Sequence, residues 1–238
     1  MRKKIVNWIK DQVRLANAKG IVLGLSGGID SSVVAALAVQ ALGENKVFGL
    51  FLPCHSQKQD LADAKLMAKR LGIKTKLIDL SKLYDQALKS LPAGNSLALA
   101  NLKPRLRMLV LYYYANKFNY LVSGTGNKSE LMVGYFTKHG DGATDILPIA
   151  DLLKKDVRRL ACELGVPECI QTKPPTAGLW PGQTDEGEMG LTYAQLDDIL
   201  ERLDKGQKQI AAKEKVNKVK MMIKRSEHKR TGPKICYI

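Results

Sequence analysis

Ser26-Gly27-Gly28-Ile29-Asp30-Ser31 follows directly on the apolar run Ile21-Val22-Leu23-Gly24-Leu25, and its residue types are those of an anion cradle. Glycine lets the backbone pass close to a guest and aim its N–H groups at it. The apolar helix behind it, from Val33 to Ala38, adds unpaired N–H donors and the positive end of its dipole. Asp30 sets a carboxylate beside that anion hole, which makes chemical sense when a magnesium ion lies between carboxylate and phosphates. The plain alternative is a glycine turn with Asp30 or Ser31 as helix N-cap; order, spacing and placement together favour the cradle. It is not one of the commoner phosphate loops. Neither Gly-x4-Gly-Lys-[Ser/Thr] nor Gly-x-Gly-x-x-Gly occurs, and Gly124-Thr125-Gly126-Asn127-Lys128-Ser129 fits neither spacing.

Alternating strands and helices must hold this loop in place. Ile5, Trp8, Ile9, Val13 and Ala16 recur with helical period and predict a helix over 3–18. Strands are expected at 20–25, 47–52 (stopped by Pro53), 74–79 and 120–123, with a short one at Leu147-Pro148-Ile149. Helices are expected at 32–42, 60–71 (closed by Gly72), 101–118 with Pro104 in its first turn, and 152–164. Strands separated by helices predict an α/β fold, a Rossmann-like doubly wound parallel sheet covered on both faces. Ligands of such sheets sit at the carboxyl ends of the strands, where the glycine loop falls. After Gly165-Val166-Pro167 the texture changes to a Pro-, Gly- and Thr-rich stretch at 172–190, long enough to suggest a functional lid. Helices at 192–203 and 207–225 and a basic tail complete a helical C-terminal extension, all expected to form one domain over 1–238.

The bulk composition is that of a soluble globular protein, with no window long and apolar enough to cross a membrane. No signal-peptide core follows Met1-Arg2-Lys3-Lys4, so a cytoplasmic location is expected. Cys54, Cys162, Cys169 and Cys236 lack metal-finger spacing and are assigned no role. The net charge of +15 raises a nucleic-acid partner. Its lysines are spread along helices, however, and few aromatics accompany the densest cluster between Lys205 and Lys234, so an anionic small substrate or a lysine-rich solvated surface accounts for the charge equally well.

The glycine loop resembles the PP-loop of the adenine-nucleotide alpha hydrolases, which cleave ATP to AMP and pyrophosphate. Lys103-Pro-Arg-Leu-Arg-Met108, Gly124 to Glu130, Gly134 to Gly142 and Asp145-Ile-Leu-Pro148 resemble successive signatures of the ammonia-dependent NAD synthetase family. So do Lys173 to Gly178, Gln183 to Gly187 and Ser226-Glu-His-Lys-Arg230, giving an ordered match from about residue 20 to 230. The resemblance implies a PP-loop fold that converts deamido-NAD, ATP and ammonia to NAD, AMP and pyrophosphate through an acyl-adenylate. It assigns Gly24, Leu25, Ser26, Gly27, Gly28, Ile29, Asp30, Ser31, Thr125, Lys154 and Thr176 to ATP, and Asp30 and Glu130 to magnesium. Arg105, Lys138, Asp145, His228 and Lys229 fall to the dinucleotide. It also implies a homodimer, and free or delivered ammonia, since the chain leaves no room for an amidase domain.

Read singly, Lys154 is an ordinary helix-start lysine, Glu130 a first-turn acid and His228-Lys229 part of a basic tail; each takes its role from its block. Asp185 and Glu186 lie in the lid, which the resemblance implies closes over the nucleotides and brings them toward magnesium or pyrophosphate. None of His55, His139 and His228 stands out as a general base. Gly178 replaces an aspartate that many relatives carry, which leaves any placing of ammonia to another residue, and Phe51 replaces an arginine, which leaves the adenosine contacts around Gln57 and Gln59 open. The rival reading is a PP-loop enzyme that modifies tRNA; a nucleotide-binding module without catalysis would lack the metal carboxylates.

Overall fold

The computed structural model describes residues 1–180, 182–207 and 213–236. Four parallel strands, β1 (Gly20–Gly24), β2 (Val47–Phe51), β3 (Lys74–Leu77) and β4 (Tyr120–Val122), form a sheet in the order β3-β2-β1-β4. Ile21 of β1 lies opposite Val47 of β2 and Leu121 of β4. The chain therefore winds outward through β2 and β3, then returns to the other side of β1. The loops leaving β1 and β4 open side by side at that switch point.

The helices in chain order are α1 (Arg2–Leu15), α2 (Ile29–Leu42), α3 (Lys58–Leu71), α4 (Ser81–Ser90), α5 (Ser96–Phe118) and α6 (Lys128–Val133). They continue with α7 (Lys154–Glu163), α8 (Glu168–Gln171), α9 (Asp185–Met189), α10 (Tyr193–Asp204) and α11 (Lys213–Arg230). Successive strand residues point to opposite faces, and the core divides accordingly. Ile21 and Leu23 pack with α1, α2, α3 and α7, whereas Val22, Leu50 and Val122 pack with Tyr84 of α4 and Met108, Leu111 and Ala115 of α5. A third cluster joins Val133 of α6, Met189 of α9, Tyr193 and Leu196 of α10 and Val219 of α11. This cluster is what carries the C-terminal helices onto the β4 side of the sheet.

The structure revises several element bounds. α2 begins at Ile29, so Asp30 and Ser31 belong to its first turn rather than to the loop. α5 begins at Ser96 because the Asn95 side chain accepts from the Ala98 N–H, a cap that the expected start near 101 overlooked. Pro104 consequently sits inside that helix, not in its first turn. The Leu147-Pro148-Ile149 strand shrinks to a single bridge between Ser123 and Ile146, after which the backbone turns through Leu147 to Ala150. α4, α6 and the short α8 and α9 were not expected, and α9 lies within the proposed lid. The part of the expected helix 207–225 that covers 208–212 lies outside the described residues.

Candidate active site

The glycine loop is built by its own hydroxyls. Gly28 donates its N–H to Ser26 Oγ at 3.2 Å, and the Ser31 and Ser32 hydroxyls both donate to the Gly28 carbonyl, at 3.0 and 2.9 Å. Gly27 takes φ +79°, and a Cβ there would stand 2.2 Å from the Asp60 carbonyl, so the loop is seated directly on the start of α3. Gly28 caps α2 without a side-chain bond, which leaves the first-turn N–H groups for a guest.

Two further helices aim polar side chains at Asp30. Asn127 caps α6 in a reciprocal box: its Oδ1 accepts from the Glu130 N–H at 3.0 Å, and Glu130 Oε2 accepts from the Asn127 N–H at 3.4 Å. The Nδ2 of the same Asn127 donates to Asp30 Oδ1 at 2.9 Å. Lys154, the first residue of α7 and 1% exposed, donates from Nζ to Asp30 Oδ2 at 2.6 Å and to Glu130 Oε1 at 3.1 Å. Its backbone N–H is held by Ser129 Oγ at 3.0 Å, and the next N–H, of Lys155, by Asp197 Oδ2 at 2.8 Å. A ring completes the group: Lys154 Nζ lies 4.8 Å from the centre of the Tyr193 ring. The Tyr193 hydroxyl reaches Glu130 Oε1 at 3.1 Å and Asp185 Oδ2 at 2.9 Å.

Burial dominates the electrostatics. It pushes Glu130 from its ordinary 4.5 up to about 7, against the opposing pull of Lys154. Burial by itself would lower Lys154, but Asp30 and Glu130 outweigh it and hold the ammonium above its usual value. Burial, then the charges of Glu130 and Asp185, keeps the Tyr193 phenol raised and therefore protonated. Among the described residues no three His, Cys, Asp or Glu side chains converge as a ready-made metal cage. Instead the Lys154 ammonium stands between two of the carboxylates.

The other expected residues fall into two regions. Thr125 lies in the loop between β4 and α6, beside the cluster in sequence, whereas Thr176 is exposed in the lid and accepts from the Gly178 N–H at 3.1 Å. Arg105 donates to the Lys138 carbonyl at 3.3 Å and lines an open depression of about 500 Å³ with Leu109, Tyr112, Tyr113 and His139. Asp145 accepts from the Tyr112 hydroxyl at 2.9 Å and from the Val122 N–H at 2.7 Å; burial and that bond push the phenol up to about 12. Lys138 Nζ donates to the His228 carbonyl. Lys229 Nζ donates to the carbonyls of Gly134 and Phe136 at 2.8 and 2.9 Å, so it shapes the 134–142 loop from α11. The lid acids separate: Asp185 is buried in the cluster, while Glu186 turns away to accept from the Tyr193 N–H at 2.8 Å.

Sequence reasoning missed Asn127 and Tyr193. The Asn127-x-x-Glu130 spacing is a capping-box signature and was there to be read. Tyr193 carries no such signal, because only the packing of α10 against α6 and α9 brings its hydroxyl here.

Comparison with known proteins adds a consistent set of likenesses. The family described as NAD synthase matches residues 1–233. The NH(3)-dependent NAD(+) synthetase of Archaeoglobus fulgidus is 49% identical over 238 residues, covering 99% of this chain and 96% of that protein. Among solved structures, the NMN synthetase from Francisella tularensis superposes with a TM-score of 0.92 at 42% identity, covering 100% of this chain and 97% of that one. The NH3-dependent NAD synthetase from Campylobacter jejuni, in complex with the nitrate ion, follows with 0.87 at 31% identity, covering 99% and 97%.

Proposed function

The chain belongs to the NAD synthase family, and we propose that it is an ammonia-dependent ligase that converts deamido-NAD, ATP and ammonia to NAD, AMP and pyrophosphate. The observation that carries the reading is the meeting of Asp30, Glu130 and Lys154 at the start of α2, beside the glycine loop.

A carboxylate is a poor acyl donor, because ammonia would have to expel oxide or hydroxide. Loading AMP onto the pyridine carboxylate supplies a leaving group, and pyrophosphate departs in that step. Charge then builds on pyrophosphate, so catalysis calls for fixed positive charge and oriented donors more than for acid–base work. The N–H groups of Ile29 to Ser31, in the first turn of α2, supply the donors, and Lys154, 1% exposed, supplies the fixed charge.

The oxygen-only donor set and the orphaned buried Oδ1 of Asp185 fit a magnesium ion. Asp30 and Glu130 would hold it. Magnesium is ordinarily bound by one or two carboxylates together with substrate phosphates rather than by an all-protein cage, which suits the arrangement here. When bound, it would supply further positive charge at the departing pyrophosphate. The remaining assignments follow the same reading: Thr125 and Thr176 to ATP; Arg105, Lys138, Asp145, His228 and Lys229 to the dinucleotide side. Lys229 acts there by positioning, since its ammonium is spent on backbone carbonyls.

The exposed α5 face, with Leu109 62% and Tyr113 59% exposed, supports a homodimer through this helix. No described helix is long and apolar enough to cross a membrane, and the four cysteines are free; both suit the proposed cytoplasmic location. The test is turnover: purified protein with ATP, magnesium and ammonium is offered deamido-NAD and, in parallel, nicotinic acid mononucleotide. The second acceptor is included because a structure at TM-score 0.92 is named NMN synthetase. NAD formed from deamido-NAD supports the reading; AMP formation that requires tRNA would replace it with the rival.

A further inference from the structure

Arg230 ends α11 in a knot of oxygens that the proposed reaction does not use. Its Nη1 donates to the Met132 carbonyl at 2.8 Å and to Ser226 Oγ at 2.6 Å, with the Leu131 carbonyl 3.1 Å away. Its Nη2 donates to the Ile223 carbonyl at 2.7 Å. Leu131 and Met132 lie in the last turn of α6, where a helix runs out of N–H partners for its carbonyls. One planar guanidinium thus closes the end of α6 and ties it to the end of α11. The two helices meet there as closely as backbone allows: a Cβ on Gly134, which takes φ +72°, would stand 2.1 Å from the Ser226 Cβ.

This clasp fixes what is attached to both helices. The 134–142 loop leaves α6 at the clasp, and His228 sits two residues before Arg230. Lys229 Nζ donates to the Gly134 and Phe136 carbonyls, Lys138 Nζ to the His228 carbonyl, and Arg105 to the Lys138 carbonyl. Arg105, Lys138 and His228 are therefore strung on one connection, with Arg230 at its end, while the His228 side chain itself stays exposed. The other end of α6 is anchored separately. Lys128 donates its N–H to the Leu152 carbonyl at 2.8 Å, Asn127 caps the helix, and Ser129 Oγ holds the Lys154 N–H. Glu130 and the ATP side do not depend on Arg230 for their seat.

Resting on the reading of this region as the deamido-NAD side, we propose that Arg230 is a positioning residue for the dinucleotide: by clasping α6 to α11 it holds His228 and the 134–142 loop in register with each other. It touches neither substrate and acts only through the groups it places. Lysine cannot replace it, because a single ammonium presents no planar fork to acceptors on two helices.

The experiment is steady-state kinetics on the full chain, R230M, R230K, H228A and the double variant H228A/R230M, varying deamido-NAD and ATP in turn with magnesium and ammonium present. R230M is expected to raise KM for deamido-NAD about 10- to 100-fold, the scale of loss when a binding group is misplaced. Its kcat and its KM for ATP should stay within about threefold of wild type, the pattern of lost substrate binding rather than lost chemistry. R230K should regain little. The double variant should cost less than the product of the two single effects, because both act through one contact. Hydrogen exchange without substrate should speed up at 134–138 in R230M and stay unchanged at 127–130. If R230M keeps KM for deamido-NAD within about twofold, or if KM for ATP rises in step with it, Arg230 is merely structural and the inference falls alone. If the wild type forms no NAD from deamido-NAD, the functional reading falls and takes this inference with it. R230K keeps the charge and the stem, so it decides the matter should R230M fail to fold.

Discussion

The Lys154 ammonium lies 2.6 Å from the Asp30 carboxylate, a contact between residues 124 positions apart that ties the start of α7 to the start of α2. Because the same ammonium reaches Glu130 at 3.1 Å, one buried cation gathers the ends of three helices around the glycine loop. The site is thus preorganised by the charge that would later face the phosphates.

Lys154→Met leaves two carboxylates without their counter-ion. Breaking a buried pair by removing one partner costs about 3–5 kcal/mol, which for a chain of this size lowers the melting temperature by on the order of 10 °C. Magnesium should restore part of that loss. Calorimetry with chelator and with magnesium checks both statements, and turnover should fall at least ~100-fold. An unchanged melting point in both buffers would mean that the ammonium does not hold the cluster together.

Glu130 makes stability depend on pH when divalent ions are chelated. Burial raises its folded pKa from 4.5 to about 7, so over that interval the folded chain keeps a proton that the unfolded chain has released. Stability from this group is therefore present below the unfolded value and is lost as pH climbs to about 7. The melting temperature of wild type minus that of Glu130→Gln should become more negative from pH 4.5 to 7 and level off above. A flat difference across the interval would contradict the raised value.

The sequence disclosed some of this and hid the rest for physical reasons. Ser26 to Ser31 were readable because a glycine turn is a local device: its bonds to Ser31 and Ser32 span a handful of residues. The Lys154–Asp30 contact is not local, and no periodicity links the two positions; only the resemblance of their blocks to a known family pointed to a shared role. Asn95 was overlooked as a cap, which placed the α5 start too late and put Pro104 in the wrong turn. Tyr193 and the seat of Asp185 depend on how α9 and α10 pack on α6, a tertiary fact without a local signature.

Lys103 is a buried cation whose hydrogen bond goes to the lid: its Nζ donates to the Leu179 carbonyl at 2.6 Å. Burial lowers its pKa, and no carboxylate pairs with it among the described residues. Lys103→Met should loosen the lid without unfolding the protein. Cleavage within 172–190 is expected to speed up about tenfold, with the melting temperature unchanged or higher, because a desolvated charge has been removed. Equal cleavage rates would show that the lid is held elsewhere.

The α5 face is the proposed subunit contact. Leu109→Asp combined with Tyr113→Asp places charge on two of its exposed apolar residues. Sedimentation velocity should then report a monomer where the wild type sediments as a dimer, with circular dichroism unchanged. A double variant that stays dimeric would move the contact to another surface.

The proposed reaction splits ATP between the α- and β-phosphates in order to activate an acid for amidation. The direct measurement is the product balance of purified protein given α-labelled ATP, magnesium, ammonium and deamido-NAD. AMP, pyrophosphate and NAD are expected in equal amounts, all abolished in Asp30→Ala; ADP with orthophosphate would rule out cleavage between the α- and β-phosphates.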